Sequence, residues 1–289
     1  MDDSDLSVEY AVPGDRQPAI IAPILPGHAL ADAAVVPGPV VASPNIDDFA
    51  QFGWTHGRLN VPTEGTDWQE FVSLWDDLVP DAYLGTTRCR RNRRYSRVLA
   101  HRDGTLERLL GSNFFQRKAV NRVFGGQTRF FEPLAGATYD SAPFIQILRE
   151  TVADVNALAG PRDWELGVHF VRVTAVPDEG SEPAPEGRHS DGHTYVATVL
   201  VGRHQCTGGE SRVYRQGEPA AEFVVTMKEP LEVVMLSDST MEHAVSEIRT
   251  VNSSVQCRRD TMLIDFNAVA DPTAVEGRTH RRLRGAGVR

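Results

Sequence analysis

Arg188-His189-Ser190-Asp191-Gly192-His193 leads through Thr194 into Tyr195-Val196-Ala197-Thr198-Val199-Leu200-Val201. A polar hexapeptide thus feeds directly into a run rich in β-branched residues, the texture of a buried strand. The same texture recurs on both sides of it. Val168–Val173 precedes it, and Ser211–Tyr214, Glu222–Met227, Leu231–Leu236 and Thr261–Phe266 follow. Turn signals separate the runs: Asp178-Glu179-Gly180, Gly208-Gly209, Gln216-Gly217 and Ser237-Asp238. Upstream of Pro161 the period changes from two to that of a helix. Thr66 with Gln69 three residues on predicts a capping-box start, Trp68, Phe71, Leu74, Trp75 and Leu78 form one apolar stripe, and Pro80 ends it. A second helix is expected from near Ser141, burying Phe144, Leu148, Val152, Val155 and Ala159, with Gly160-Pro161 as the stop. Leu106–Phe124 is read as a further helix. Helices followed by six closely spaced strands predict a β-sandwich or barrel with helices packed outside one sheet.

The tails differ from this body. Residues 1–50 hold eight acids against one base, Arg16, which accounts for −7 of the net charge of −9. Residues 1–48 are therefore assigned to an extended acidic arm, with one short strand near Ala19–Ile24. Residues 49–268 form the folded domain, and residues 269–289, rich in arginine, form a solvated basic tail. Of the 30 bases 28 are arginine, so an arginine cluster carries little weight as a nucleic-acid signal, and no nucleic-acid partner is expected. No apolar run approaches the roughly 18 residues of a membrane helix, so no membrane partner is expected. The acidic start is unlike a secretory signal. Three widely spaced cysteines (Cys89, Cys206, Cys257) imply neither a disulfide framework nor a zinc motif, which makes a reducing cytoplasm the expected location.

The chemistry is concentrated in the opening hexapeptide. Residues two apart on an extended chain share a face, so His189 and Asp191 converge on one point, as do Asp191 and His193. A third donor must come from elsewhere; His243 follows a strand and a Ser-Asp-Ser-Thr turn, 52 residues after Asp191. Two imidazoles and a carboxylate on one face of an octahedral ion leave three positions open, the facial triad of non-haem Fe(II) oxygenases. Arg258 and Arg259 lie on a last strand and point to opposite faces; either offers a planar fork that matches a carboxylate.

These residues carry a resemblance to the 2-oxoglutarate/Fe(II)-dependent dioxygenase family of the bacterial L-isoleucine 4-hydroxylase type. The ordered set is Leu78-Val79-Pro80-Asp81-Ala82-Tyr83, Arg93-Arg94-Tyr95-Ser96, Phe115-Gln116, Asn121, Gly125-Gly126, Arg129-Phe130-Phe131-Glu132-Pro133, His189-Ser190-Asp191-Gly192-His193, Gly208-Gly209-Glu210-Ser211 and Arg259-Asp260. It covers roughly residues 55–268. The resemblance implies a mainly β fold with flanking helices around a double-stranded β-helix (jelly-roll, cupin-like) core. It implies His189, Asp191 and His243 as catalytic Fe(II) ligands, with His193 nearby. It favours Arg259 over Arg258 for the distal carboxylate of 2-oxoglutarate, with Thr261 adding a hydroxyl. Dioxygen and a small-molecule substrate, a free L-amino acid, complete the expected partners, and the assignment leaves room for a homodimer. Arg129, His169 and Arg172 are the candidates for holding substrate. Structural alternatives stand beside each: Arg129 pairing with Glu132, His169 as a satisfied core histidine, Arg172 at a sheet edge. The seven arginines of Arg88–Arg102 are assigned a structural or lid role. Two rival readings share parts of the site: the same cofactor chemistry on a larger or carrier-bound intermediate, and a cupin-type metalloenzyme that uses no 2-oxoglutarate.

Overall fold

The computed structural model describes residues 42–269 and strand 278–282, apart from residues 86, 119, 120, 122, 124, 253 and 254. The expected acidic arm as far as residue 41, with its short strand, lies outside the described residues. The helices are α1 (Ile46–Phe52), α2 (Thr66–Ser73) and α3 (Ala142–Ala159), with 3-10 turns at Leu74–Asp77 and Gly136–Asp140. The strands are β1 (Trp54–Arg58), β2 (Val79–Pro80), β3 (Arg91–Ala100), β4 (Leu106–Leu109), β5 (Asn113–Phe115), β6 (Thr128–Phe130), β7 (Trp164–Ala175) and β8 (Tyr195–His204). They continue with β9 (Cys206–Gly208), β10 (Ser211–Arg215), β11 (Ala221–Val225), β12 (Glu232–Ser237), β13 (Met241–Val245), β14 (Ile248–Thr250), β15 (Cys257–Ala268) and β16 (Arg278–Arg282).

Local signals account for several boundaries, and four expectations are corrected. The chain is already helical at Ile46, inside the stretch assigned to the arm, because the Asn45 side chain accepts from the backbone of Asp47 and Asp48 and caps α1. Helix α2 begins at Thr66 itself, with Gly65 as its cap and no side-chain capping bond, so the Thr66–Gln69 capping box is not made. Leu106–Phe124 is not a helix: Leu106–Leu109 is β4, and Asn113–Phe115 alternates exposed, buried, exposed against Thr128–Phe130. Gly111, at φ +87, separates the two strands. Part of the basic tail, Arg278–Arg282, is not free in solvent but pairs with β4 as an edge strand.

The main sheet runs β1-β12-β8-β15-β7-β3-β4-β16, with β2 added beside β3, and every pairing is antiparallel. Its two faces are read from alternate residues. One face (Leu166, Val168 and Phe170 of β7, Val199 of β8, Met262, Ile264 and Phe266 of β15) packs against α2 and α3. Trp75, from the predicted stripe, stacks on Phe170 with ring centroids 4.0 Å apart and donates Nε1–H to the Val171 carbonyl at 3.1 Å. The opposite face meets a second sheet, β11-β10-β13, across Val196, Leu200, Val213, Val234, Leu236 and Met241. The two sheets make the jelly-roll core, flanked by helices on one side only. No helix among the described residues is long and apolar enough to cross a membrane.

Candidate metal centre and its cavity

The second sheet carries His243 on β13, and the loop before β8 carries His189 and Asp191. The backbones of the two histidines bond reciprocally, His189 N–H to the His243 carbonyl at 3.0 Å and His243 N–H to the His189 carbonyl at 2.8 Å. One isolated bridge therefore fixes two side chains 54 residues apart in sequence. One donor atom from each of His189, Asp191 and His243 lies within 4.8 Å of the others, a spacing that fits a single ion. His189 donates Nδ1–H to the Gly187 carbonyl at 2.8 Å, which turns Nε2 inward, 3.6 Å from Asp191 Oδ1. His243 Nε2 lies 3.4 Å from Asp191 Oδ2.

Burial works against ionisation of Asp191, yet His189, His243 and His193 together hold its carboxyl well below the usual range. Burial also works against charge on His189, but Asp191 and Glu186 push it up to about 9. His243 is held down to about 4 by burial and by the positive charge of His189. The three groups thus hold one proton between two imidazoles and a carboxylate, and a dication would take its place.

Two supports shape the Asp191 loop. The buried Asp238 carboxylate accepts the backbone N–H groups of Asp191 (2.9 Å), Gly192 (2.6 Å) and His193 (2.8 Å). Burial and the charge of Asp191 raise Asp238 to about 6. From the other side Gln116 donates Nε2–H to Asp191 Oδ1 at 3.0 Å and to its carbonyl at 3.1 Å. Gln116 is oriented in turn, since its Oε1 accepts from Arg129 Nη2 (2.5 Å) and Asn121 Nδ2 (3.2 Å).

The triad opens onto a cavity of about 110 Å³ between the sheets. The inward face of β15 supplies Arg259, Thr261, Leu263 and Asp265. Arg258, on the other face, is exposed. Arg259 is 3% exposed, and its Nε and Nη2 are buried without a hydrogen-bond partner among the described residues. Burial and the neighbouring Arg203 lower it to about 10. His169 and Arg129 also line the cavity. His169 is neutral: burial and Arg93 hold it at about 4, it accepts from Arg93 on Nδ1, and it donates Nε2–H to Asp265 at 2.8 Å. His193 Nε2 faces the same Asp265 oxygen at 3.3 Å.

Arg172 is the one candidate that the fold directs elsewhere. It alternates with the inward residues of β7, lies on the helix face, and bonds Asp260 (2.7 and 2.8 Å) and Asp76 (2.7 Å). Its guanidinium is fully engaged in ion pairs outside the cavity, so it is corrected from a substrate candidate to a structural one. Sequence reasoning passed over Arg93, Glu186, Asp238 and Asp265 as site residues. Arg91, Arg93 and Tyr95 alternate on β3, and a period-two reading of the arginine-rich run would have found Arg93.

A family model described as 2OG-Fe dioxygenase matches residues 72–265, well over half of the chain. The chain is 23% identical over 210 residues to the 3(1)-hydroxy-L-isoleucine 4-dioxygenase of Pantoea ananatis, covering 71% of this chain and 83% of that protein. Its fold is similar to a solved bsmA homolog from Methylobium petroleophilum (TM-score 0.62, 26% identity, 70% of this chain and 81% of that one). It also resembles the solved IDO of Bacillus thuringiensis (TM-score 0.63, 20% identity, 77% and 93% covered).

Proposed function

The chain belongs to the 2OG-Fe dioxygenase family, whose members use Fe(II) and 2-oxoglutarate, and from that premise we propose that it hydroxylates an unactivated C–H bond of a free L-amino acid. In this reading His189, Asp191 and His243 hold Fe(II), and Arg259 with Thr261 holds the distal carboxylate of 2-oxoglutarate. The donor set suits the ion: two imidazoles and a carboxylate converge within 4.8 Å. The co-substrate suits the cavity: a buried guanidinium without a partner on Nε and Nη2 is completed by a carboxylate. That orphaned fork, in the same cavity as the triad, is the observation that carries the assignment, and it disfavours a cupin-type reaction without 2-oxoglutarate. The bound pair supplies the oxidation, consuming dioxygen and releasing succinate and CO2 as one oxygen is delivered to carbon.

The chain's own part is geometric. Gln116 and Asp238 fix Asp191, and Gly187 fixes the His189 ring. The amino-acid substrate is supported by the Pantoea ananatis relative, which is named for acting on a hydroxy-L-isoleucine. The test is anaerobic loading with Fe(II), then succinate formation in air across the twenty amino acids plus citrulline and ornithine. Succinate far above the uncoupled background with one of them, matched by a product heavier by one oxygen, is the expected result. Background succinate alone would transfer the substrate to the larger or carrier-bound class.

A further inference from the structure

The cavity wall holds more charge than the metal and the co-substrate use. With His189 and Asp191 turned to the ion and Arg259 to 2-oxoglutarate, Arg93 and Glu186, of opposite sign, are left without an ionic partner among the described residues. Arg93 comes from β3, is 7% exposed, and directs Nε and Nη2 onto Nδ1 of His169 at 3.2 and 2.5 Å. Its plane rests on Phe131, 4.3 Å from the ring centroid, and near Phe114 at 5.4 Å. His169 is a neutral acceptor, and among the described residues no carboxylate lies within ion-pairing distance of Arg93; Asp265 is reached through the imidazole. Arg91, its neighbour on the same face, differs in this respect, because it is paired with Asp81 at 2.8 Å.

Glu186 enters the cavity from the loop that leads to His189. Its Oε1 lies 3.6 Å from His189 Nε2, yet it falls outside the group of three whose donor atoms converge. Its Oε2 is buried and has no hydrogen-bond partner among the described residues. A buried carboxylate oxygen without a donor is costly unless something that enters the cavity supplies one. An ammonium group does so, with three donors on a compact charge. A buried guanidinium without an acid is completed in the same way by a carboxylate, and its apolar floor of two rings strengthens that bond by excluding water.

We propose that Arg93 and Glu186 form the clamp for the charged end of the substrate, Arg93 receiving the α-carboxylate and Glu186 the α-ammonium. The clamp rests on the amino-acid reading above and deepens it. It makes the free zwitterion the ligand, and it excludes N-acylated and carrier-tethered amino acids, because each blocks one of the two charges. Side-chain choice is then left to the rest of the wall, and the clamp fixes which end of the molecule faces away from the oxidised carbon.

The test uses the full chain loaded with Mn(II) and 2-oxoglutarate, where no turnover competes. Binding of each of the twenty L-amino acids is measured by calorimetry and by thermal shift, and the best binder is compared with its N-acetyl and carboxamide derivatives. We expect both derivatives to bind about 10- to 100-fold more weakly than the free amino acid. Glu186→Gln should lose a similar factor for the free amino acid but not for its N-acetyl form. Arg93→Met should lose it for the free form but not for the carboxamide, with 2-oxoglutarate affinity within about twofold of wild type in both variants. If the derivatives bind wild-type protein as well as the free amino acid does, the clamp is overturned without recourse to any variant. Equal affinity in Glu186→Gln and Arg93→Met also overturns it while leaving the amino-acid reading intact. A fall in Mn(II) affinity in Glu186→Gln would place Glu186 in the metal centre and overturn its role here. If no amino acid binds although Mn(II) and 2-oxoglutarate do, the amino-acid reading fails, and the clamp with it.

Discussion

Replacing Arg259 by methionine should make the ligand-free protein more stable and remove most of the stabilisation that 2-oxoglutarate confers. The guanidinium is 3% exposed, and two of its nitrogens have no partner among the described residues. Burial and Arg203 hold it at about 10 against an ordinary 12.5. At about 1.4 kcal/mol per pKa unit, the folded protein carries on the order of 3 kcal/mol of uncompensated charge at this one position. Methionine keeps most of the apolar stem and removes that charge, so urea unfolding without 2-oxoglutarate should show a gain of up to about 3 kcal/mol. Binding moves the other way. A buried carboxylate that loses a charged partner loses about 2–5 kcal/mol, or roughly 30-fold to several-thousand-fold in dissociation constant. With Mn(II) in place of Fe(II) and 2-oxoglutarate at about 100 times its wild-type dissociation constant, wild-type protein should gain about 2.7 kcal/mol and the variant at most about 0.9 kcal/mol. The variant's lead over wild type should therefore shrink by about 2–3 kcal/mol when 2-oxoglutarate is added. A variant that is less stable without 2-oxoglutarate, and that gains as much from it as wild type does, would refute the argument.

Three further outcomes follow from contacts described above. Gln116→Leu removes two bonds to Asp191 and should weaken Fe(II) or Mn(II) binding about 10- to 100-fold in an anaerobic chelator competition; unchanged affinity would make Gln116 a bystander. His169 is held at about 4 against 6.5, so between these values the unfolded chain takes up a proton that the folded chain refuses. Its contribution is complete above about pH 6.5 and is lost as pH falls toward 4, on the order of 3 kcal/mol in all. His169→Asn should flatten the pH dependence of the urea midpoint across that window, and an unaltered slope would count against the assignment. Trp75→Ala removes the ring stacked on Phe170 and should cost about 3–5 kcal/mol by the same unfolding assay; a loss below about 1 kcal/mol would mean that the helices do not brace the sheet.

The candidate metal donors were legible in part from a period of two beside a short turn, and the family resemblance chose His189 over His193. Asp191 follows His189 by two residues at the mouth of a strand, and His243 comes just after the Ser237–Thr240 turn, on β13. What the sequence left undecided was long-range. Arg258 and Arg259 are symmetric in strand polarity, and only the packing of Met262, Ile264 and Phe266 against helices turns Arg259 inward. Arg172 was misread for a related reason: its neighbours His169, Val171 and Val173 line the cavity, and the odd step between them belongs to the other face. The Leu106–Phe124 segment shows the limit of local pattern, because two short strands broken by Gly111 imitate a helical spacing until their partners are known. Arg93 and Glu186 were passed over since each looks ordinary alone; their interest lies in partners they lack, which no one-dimensional pattern contains.

The three amide groups held by Asp238 bear on how iron comes and goes. Gly192, at φ +84, and the residues on either side of it are clasped by a carboxylate that belongs to the chain itself. The ordering of that loop is thus completed when the chain folds, and capture of the ion adds little conformational entropy to lose. Iron should enter and leave a finished receptor, at a rate set by shedding and regaining its water shell. Stripping the ion with a chelator and restoring it should then be a round trip, without a visit to the unfolded state.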